Sequence, residues 1–307
     1  MENKWAEAER PRRVADCIAP DSLKSQFQSY VDKKFVPDML LTGRAGIGKT
    51  TVAKAMLEEL GYDCLLINAT LKGNVDTLRT DITQFASSVS INGGRKYVIL
   101  DEADGLTSQA QAGLRAFMDE FASNCGFILT CNYLHKLIEP IRSRVAVIDF
   151  SFKKSDYPAL MSQFFKRVKE ILAKRSVEFD AKVVMQVIAK YFPDFRKVLN
   201  ELQAAASSGK IDSSALAART DIDDLIKAMK AKSFVDVRRW VGEHSDWDSV
   251  AIMREFFDQS EELLAPNSIV DLVYLIARYQ YQAAFVADQE VNLAAFVAEA
   301  MTTVEWK

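Results

Sequence analysis

The stretch "MLLTGRAGIGKTTVAKAM", Met39 to Met56, restricts what this chain can fold into more than any other. A short apolar run enters a segment bracketed by Gly43 and Gly48, and Lys49 and Thr50 then open a helical pattern. That spacing demands a strand, a tight loop and a helix, because only glycine lets the backbone curl closely enough for the first helical N–H groups to converge on an anion. Lys49 is placed to reach the β and γ phosphates of a nucleotide, and the Thr50 hydroxyl to face a divalent cation. The alternative, a glycine turn before a purely structural helix, accounts for neither the lysine nor the threonine.

Further apolar runs alternate with helical stretches: "CLLIN" at 64–68, "YVILD" at 97–101, "GFILTCN" at 126–132 and "VAVIDF" at 145–150. Short runs buried on both faces and separated by helices predict an α/β fold with a largely parallel sheet under helical layers. In "YVILDEAD" the strand delivers Asp101 to the carboxyl end of such a sheet, where it can hold hydrated magnesium, with Glu102 placed to polarise an attacking water. An acidic pair alone would read as a helix cap, but the upstream glycine-lysine-threonine loop selects the chemical reading. The letters "DEAD" also occur in RNA helicases. Those enzymes carry a second motor domain and a Ser-Ala-Thr segment, whereas here the next strand ends in "LTCN" and the rest of the chain is helical in pattern.

The chain reads as three domains: a nucleotide-binding domain over 1–152, a helical lid over 153–230 and a helical collar over 231–307. An irregular arm with Arg10, Arg12 and Arg13 comes first, then a helix from Ser22 to about Lys34 capped by Asp21 or Ser22. Three helices are expected between 156 and 208, with Pro193 in an early helical turn. Tyr274, Tyr279, Tyr281 and Phe285 read as core or subunit-interface groups. With 39 basic and 42 acidic residues the net charge is -3, so any nucleic-acid contact must come from a local basic surface. Cys17, Cys64, Cys125, Cys131, His135 and His244 lack paired metal-ligand spacing, which argues against structural zinc. With no secretory signal and no run of eighteen apolar residues, a soluble intracellular protein without membrane contact is expected.

Three polar positions extend the site. Asn132, after "GFILTC", is either a turn former or an uncharged group that orients water at the γ phosphate. Arg142 and Arg144 in "PIRSRV" can form surface pairs, or Arg144 can reach a neighbouring subunit's nucleotide. Arg196 in "FPDFRKVL" can contact phosphate from a lid helix anchored by Phe192 and Phe195, with Lys197 as the solvent-facing alternative.

On these motifs, together with "ERPRRVADCIAP" and "LRAFMDEFASNCGFILTCN", the chain resembles the AAA+ ATPases, and within them the large subunits of T4-like bacteriophage sliding-clamp loaders. The resemblance spans nearly the whole chain and is least diagnostic in the last domain. It implies ATP and Mg2+ as ligands, with nucleotide contacts from Gly43, Gly46, Gly48, Lys49, Thr50, Thr51 and Arg196, and metal contacts from Thr50 and Asp101. It also implies catalysis by Glu102 with Asn132, an in-trans finger at Arg144, and an adenine pocket including Cys17 and Ile18. Such families commonly have cysteine after the finger, where this chain has Val145.

The implied partners are further copies of the chain, a distinct small subunit, a sliding clamp and primer-template DNA, in the cytoplasm of a bacterial host. The implied function is ATP-driven loading of a ring-shaped DNA polymerase clamp. A helicase loader, another DNA remodeler and an ATP-binding replication scaffold stand as alternatives. Lys72, Arg79, Gln111 and Arg115 are candidates for DNA contact or coupling, each otherwise a solvated helical residue. Phe117, Met118 and Phe121 are either clamp surface or core.

Overall fold

A computed structural model of the protein describes residues 4–70, 75–90, 95–207, 209–212, 222–245 and 247–307. The chain divides into two compact units, Met1–Ala215 and Leu216–Lys307.

The first unit is built on five parallel strands: β1 (Met39–Thr42), β2 (Cys64–Asn68), β3 (Lys96–Asp101), β4 (Cys125–Cys131) and β5 (Ala146–Asp149). Their order is β2-β3-β4-β1-β5. The apolar runs face two ways because strand side chains alternate. Leu40, Val98, Leu100, Phe127 and Leu129 join one core, with α4 (Val75–Ser87) and α5 (Ser108–Glu120). Met39, Leu41, Tyr97, Ile99 and Ile128 join the other, with α2 (Asp21–Asp32) and α3 (Lys49–Leu60). The helix expected from Ser22 starts one residue earlier, with Pro20 at the cap position, so neither Asp21 nor Ser22 caps it.

Parallel register aligns the strand ends. Asn68 lies opposite Asp101, and Thr42 opposite Cys131, so these strand ends gather on one rim of the sheet. The loop after β1 uses Gly46 at φ +73° and Gly48 at φ +98°, left-handed values that favour glycine. Helix α3 starts there and stops at Gly61, φ +67°, whose N–H bonds Glu58 O while Tyr62 N–H bonds Leu57 O.

The lid helices are α7 (Tyr157–Lys174), α8 (Ala181–Tyr191) and α9 (Phe195–Ala206). A two-stranded parallel pair, β6 (Glu178–Phe179) and β7 (Lys210–Ile211), joins them and was not legible as a strand pattern. Pro193 precedes α9 instead of entering its first turn, and Asp194 is the cap, accepting from Lys197 N–H at 2.9 Å. The unit also contains two short α-helices, α1 (Trp5–Ala8) in the arm and α6 (Glu139–Arg142) before β5.

The second unit contains α10 (Asp223–Lys230), α11 (Phe234–Glu243), α12 (Ser249–Leu263), α13 (Pro266–Ala283) and α14 (Gln289–Thr303). The helix assigned by sequence to the end of the lid, α10, buries Leu225, Ile226 and Met229 in this unit's core. The division therefore falls before α10, and not after it at 230, because its apolar stripe matches the C-terminal helices. Tyr279 is core, whereas Tyr274, Tyr281 and Phe285 are exposed. Among the described residues no helix is long and apolar enough to cross a membrane.

Candidate functional site

The rim of the sheet, the loop after β1, the N-terminal arm and lid helices α7 and α9 line an open cleft of about 1020 Å3, the solvent space at its mouth included. Lys49 is buried at its floor and its ammonium donates to Gly43 O (2.6 Å), Arg44 O (2.8 Å) and Asn132 Oδ1 (2.9 Å). Burial pulls its pKa below the ordinary lysine value, while Asp101 and Asp104 work against that shift. All three of its N–H donors are thus held by acceptors that an incoming phosphate can replace.

Beside it, Thr50 Oγ1 donates to Asp101 Oδ1 at 2.5 Å, and Thr130 Oγ1 to the same oxygen at 2.7 Å. Glu102 takes a left-handed backbone, φ +58° and ψ +44°, unusual for a residue with a side chain. It is held there by its N–H on Thr130 Oγ1 (3.1 Å), and its carboxylate accepts from Thr70 Oγ1 (3.1 Å) and Asn68 Nδ2 (3.4 Å). Asp104 Oδ2 accepts from the backbone N–H groups of Asn132 (3.2 Å) and Tyr133 (3.1 Å), fixing the turn that presents the Asn132 amide.

The lid meets the glycine loop directly. Phe195 N–H donates to Gly46 O at 3.1 Å, and a Cβ on Gly46 would lie 1.8 Å from Asp194 Oδ1. Phe195 packs on Phe164, ring centroids 4.7 Å apart, and on Phe192 at 5.7 Å, so aromatic anchors fix the helix start that carries Arg196 into the cleft. Lys197 turns away, its ammonium 4.7 Å from the centroid of the Tyr191 ring. Cys17 and Ile18 also line the cleft. Burial raises the Cys17 thiol to about 12, so that wall is uncharged and suits a flat heterocycle.

The cleft thus brings together Cys17, Ile18, Gly46, Gly48, Lys49, Thr50, Thr51, Asp101, Glu102, Asn132 and Arg196. Gly43 contributes through its carbonyl on Lys49. Arg144 does not line this cleft; it lies between α6 and β5, bound to Asp119. Arg79 and Arg115 are exposed on α4 and α5. Gln111 is not a solvated helical residue: it is buried, donating to Leu106 O and Lys136 O and accepting from Ile138 N–H, because three loop ends meet there. Phe117 and Met118 on α5, and Phe121 just after it, are core, not surface, since all three pack into the cluster on one face of the sheet. Lys72 lies outside the described residues. Sequence reasoning passed over Asn68, Thr70, Asp104 and Thr130; polar residues closing the apolar runs "CLLINAT" and "GFILTCN" were the available signal.

A family profile described as "ATPase family associated with various cellular activities (AAA)" matches residues 39–152. Another, "Sliding-clamp-loader large subunit, AAA+ ATPase lid domain", matches residues 156–217. The chain is 31% identical to the sliding-clamp-loader large subunit of Enterobacteria phage T4, covering 97% of this chain and 95% of that one. It is 34% identical to the subunit of the same name from Escherichia phage RB69, over 87% and 86%. Identity to a replication factor C small subunit from Methanothermobacter thermautotrophicus is 29%, over 97% of both chains. A solved RuvB variant from Thermotoga maritima shares the fold with a TM-score of 0.58 at 15% identity, over 95% of this chain and 90% of that one. With its phosphate loop, acidic strand end and lid joined in one cleft, the chain belongs to the AAA+ ATPases of the sliding-clamp-loader large-subunit family.

Proposed function

We propose that the protein is the motor subunit of a clamp loader, using ATP binding and hydrolysis to open a ring-shaped sliding clamp and leave it closed on primer-template DNA. The observation that carries this reading is a division of labour in the site: the cleft supplies Lys49, Thr50, Asp101, Glu102, Asn132 and Arg196, while Arg144 stands outside it. A cleft complete except for one cation turns over fastest where a second copy supplies that cation, which ties hydrolysis to assembly.

Within the cleft, Lys49 exchanges its internal acceptors for β and γ phosphate oxygens, and backbone N–H groups at the start of α3 face the same charge. Thr50 and Asp101 offer adjacent oxygens suited to an Mg2+ ion held jointly by protein and phosphates. When bound, Mg2+ would offset charge on the phosphates. Glu102 takes the proton of the attacking water, Asn132 orients that water, and Arg196 reports the phosphate to the lid. Cys17 and Ile18 flank the adenine.

The working assembly contains further copies of the chain, a distinct small subunit and the clamp. DNA is followed through backbone phosphates, since a loader acts at any primer end. The exposed guanidinium groups of Arg79 and Arg115 suit that contact, with Lys72 as a further candidate. Gln111, being buried, can only couple loops.

Steady-state ATP turnover of the assembled complex, with clamp and primed DNA, tests the reading. Wild type is expected to be stimulated by both, and Glu102→Gln to lose turnover by on the order of 10² to 10⁴. Equal turnover in the two proteins would reject Glu102 as the base. A wild-type complex indifferent to the clamp but bound to a helicase would instead identify a helicase loader.

A further inference from the structure

Arg144 is not a loose side chain. Its Nε donates to Asp119 Oδ1 at 2.9 Å and one Nη2 N–H to Asp119 Oδ2 at 3.2 Å, a two-point grip along one edge of the guanidinium. An Nη1 N–H donates to Pro140 O at 2.8 Å. The group carries five N–H donors, two of them on each terminal nitrogen. These three bonds therefore leave one N–H on Nη1 and one on Nη2 for an acceptor outside the chain.

The two anchors come from different elements. Asp119 sits in the last turn of α5, and Pro140 within α6. Arg144 itself follows α6, its backbone N–H bonded to Ile141 O at 3.0 Å. Both side chains of the pair are partly exposed, so the contact contributes little to folding. What it does set is direction, since a planar fork gripped along one edge cannot rotate freely, whereas an ungripped arginine samples many rotamers.

We propose that Asp119 is a positioning residue for Arg144, holding its guanidinium so that the two remaining terminal N–H groups face the nucleotide of an adjacent copy. The inference rests on the reading of Arg144 as a group that acts in trans. Each partner's pKa moves as such a pair requires: the Arg144 hydrogen bond lowers the Asp119 carboxyl, and the Asp119 bond raises Arg144. Arg115 Nε, 4.0 Å from Asp119 Oδ2, is too far for a hydrogen bond and does not compete for the grip. A pre-set donor spends less freedom on reaching its acceptor, which raises the rate of the step it assists.

The test uses complexes assembled with the small subunit, clamp and primed DNA, carrying Asp119→Ala, Asp119→Glu, Arg144→Ala or both alanine changes in this chain. Asp119→Ala is expected to lower kcat about 10-fold with KM for ATP near wild type, because the grip restrains a donor and not the cleft. Asp119→Glu, which retains a two-oxygen acceptor, should recover most of that loss. In the Arg144→Ala background Asp119→Ala should add nothing, a coupling that a purely structural role would not produce. Melting temperature and ATP binding by the isolated subunit identify any variant that fails to fold, and Asp119→Glu then carries the comparison.

Turnover of Asp119→Ala at or above wild type, with Arg144→Ala impaired, overturns the positioning role alone. Additive losses in the double variant do the same. Full turnover of Arg144→Ala would remove the in-trans reading, and the proposal with it.

Discussion

Glu102 shows how much of the site depends on single hydrogen bonds. Its left-handed backbone costs on the order of 1–3 kcal/mol and persists only because neighbours hold it. Thr130 does much of that, accepting from Glu102 N–H while donating to Asp101. Thr130→Val keeps the shape but strands a partly buried N–H, at a cost of about 1–3 kcal/mol. Turnover should fall at least about 10-fold, since Asp101 and Glu102 lose a common anchor; denaturant unfolding and ATPase assays of the variant check both effects. Lys49, Thr50 and Asp101 were legible in sequence because their spacing repeats a local geometry. Thr130, Asn68 and Asp104 were not, because their roles depend on which strands lie side by side: Asn68 faces Asp101 only through the β2–β3 register.

At the scale of elements, the site is a contact between the glycine loop and the start of α9. Gly46→Ala would drive a methyl into the Asp194 cap and impose φ +73° on a side-chain-bearing residue. Losing the cap and straining the backbone together predict about 2 kcal/mol of destabilisation, and isothermal titration should detect weakened ATP binding. The arm is fastened to the lid by Glu9, whose buried carboxylate meets Lys174 at 3.1 Å and Arg175 at 3.0 Å. The Trp5 ring lies under the Arg175 guanidinium, its centroid 5.1 Å away, and the Trp5 backbone N–H donates to Gln203 Oε1. Burial pushes the Glu9 pKa up, but Lys174 and Arg175 outweigh it and hold it below the ordinary 4.5. A depressed carboxylate stabilises the fold above that ordinary value, and the contribution is lost as pH falls through the folded-state pKa. Glu9→Gln should therefore melt earlier than wild type at pH 7, with the gap narrowing as pH drops below 4.5, in paired thermal scans.

For the whole molecule, the decisive property is that one chain's cleft lacks Arg144. Arg144→Ala should fold, bind ATP as an isolated subunit and lose turnover only after assembly, by on the order of 10³ to 10⁵ if the finger is fully engaged. Comparing isolated and assembled ATPase rates measures this, and wild-type turnover of the assembled variant would refute it. The domain reading illustrates the limit of linear patterns: α10 has the amphipathic stripe of any helix, and only its burial of Leu225, Ile226 and Met229 among the C-terminal helices assigns it there.

By itself the sequence determined the strand, glycine loop and helix, the acidic strand end and the alternation of strands with helices, because each is specified by residues close together in the chain. Tertiary structure alone decided that Gln111 is a buried junction, that Phe117, Met118 and Phe121 are core, and that Asp119 grips Arg144. Each of these joins residues from separate elements, and which face of a helix meets which neighbour is settled by the burial of apolar surface from many elements at once.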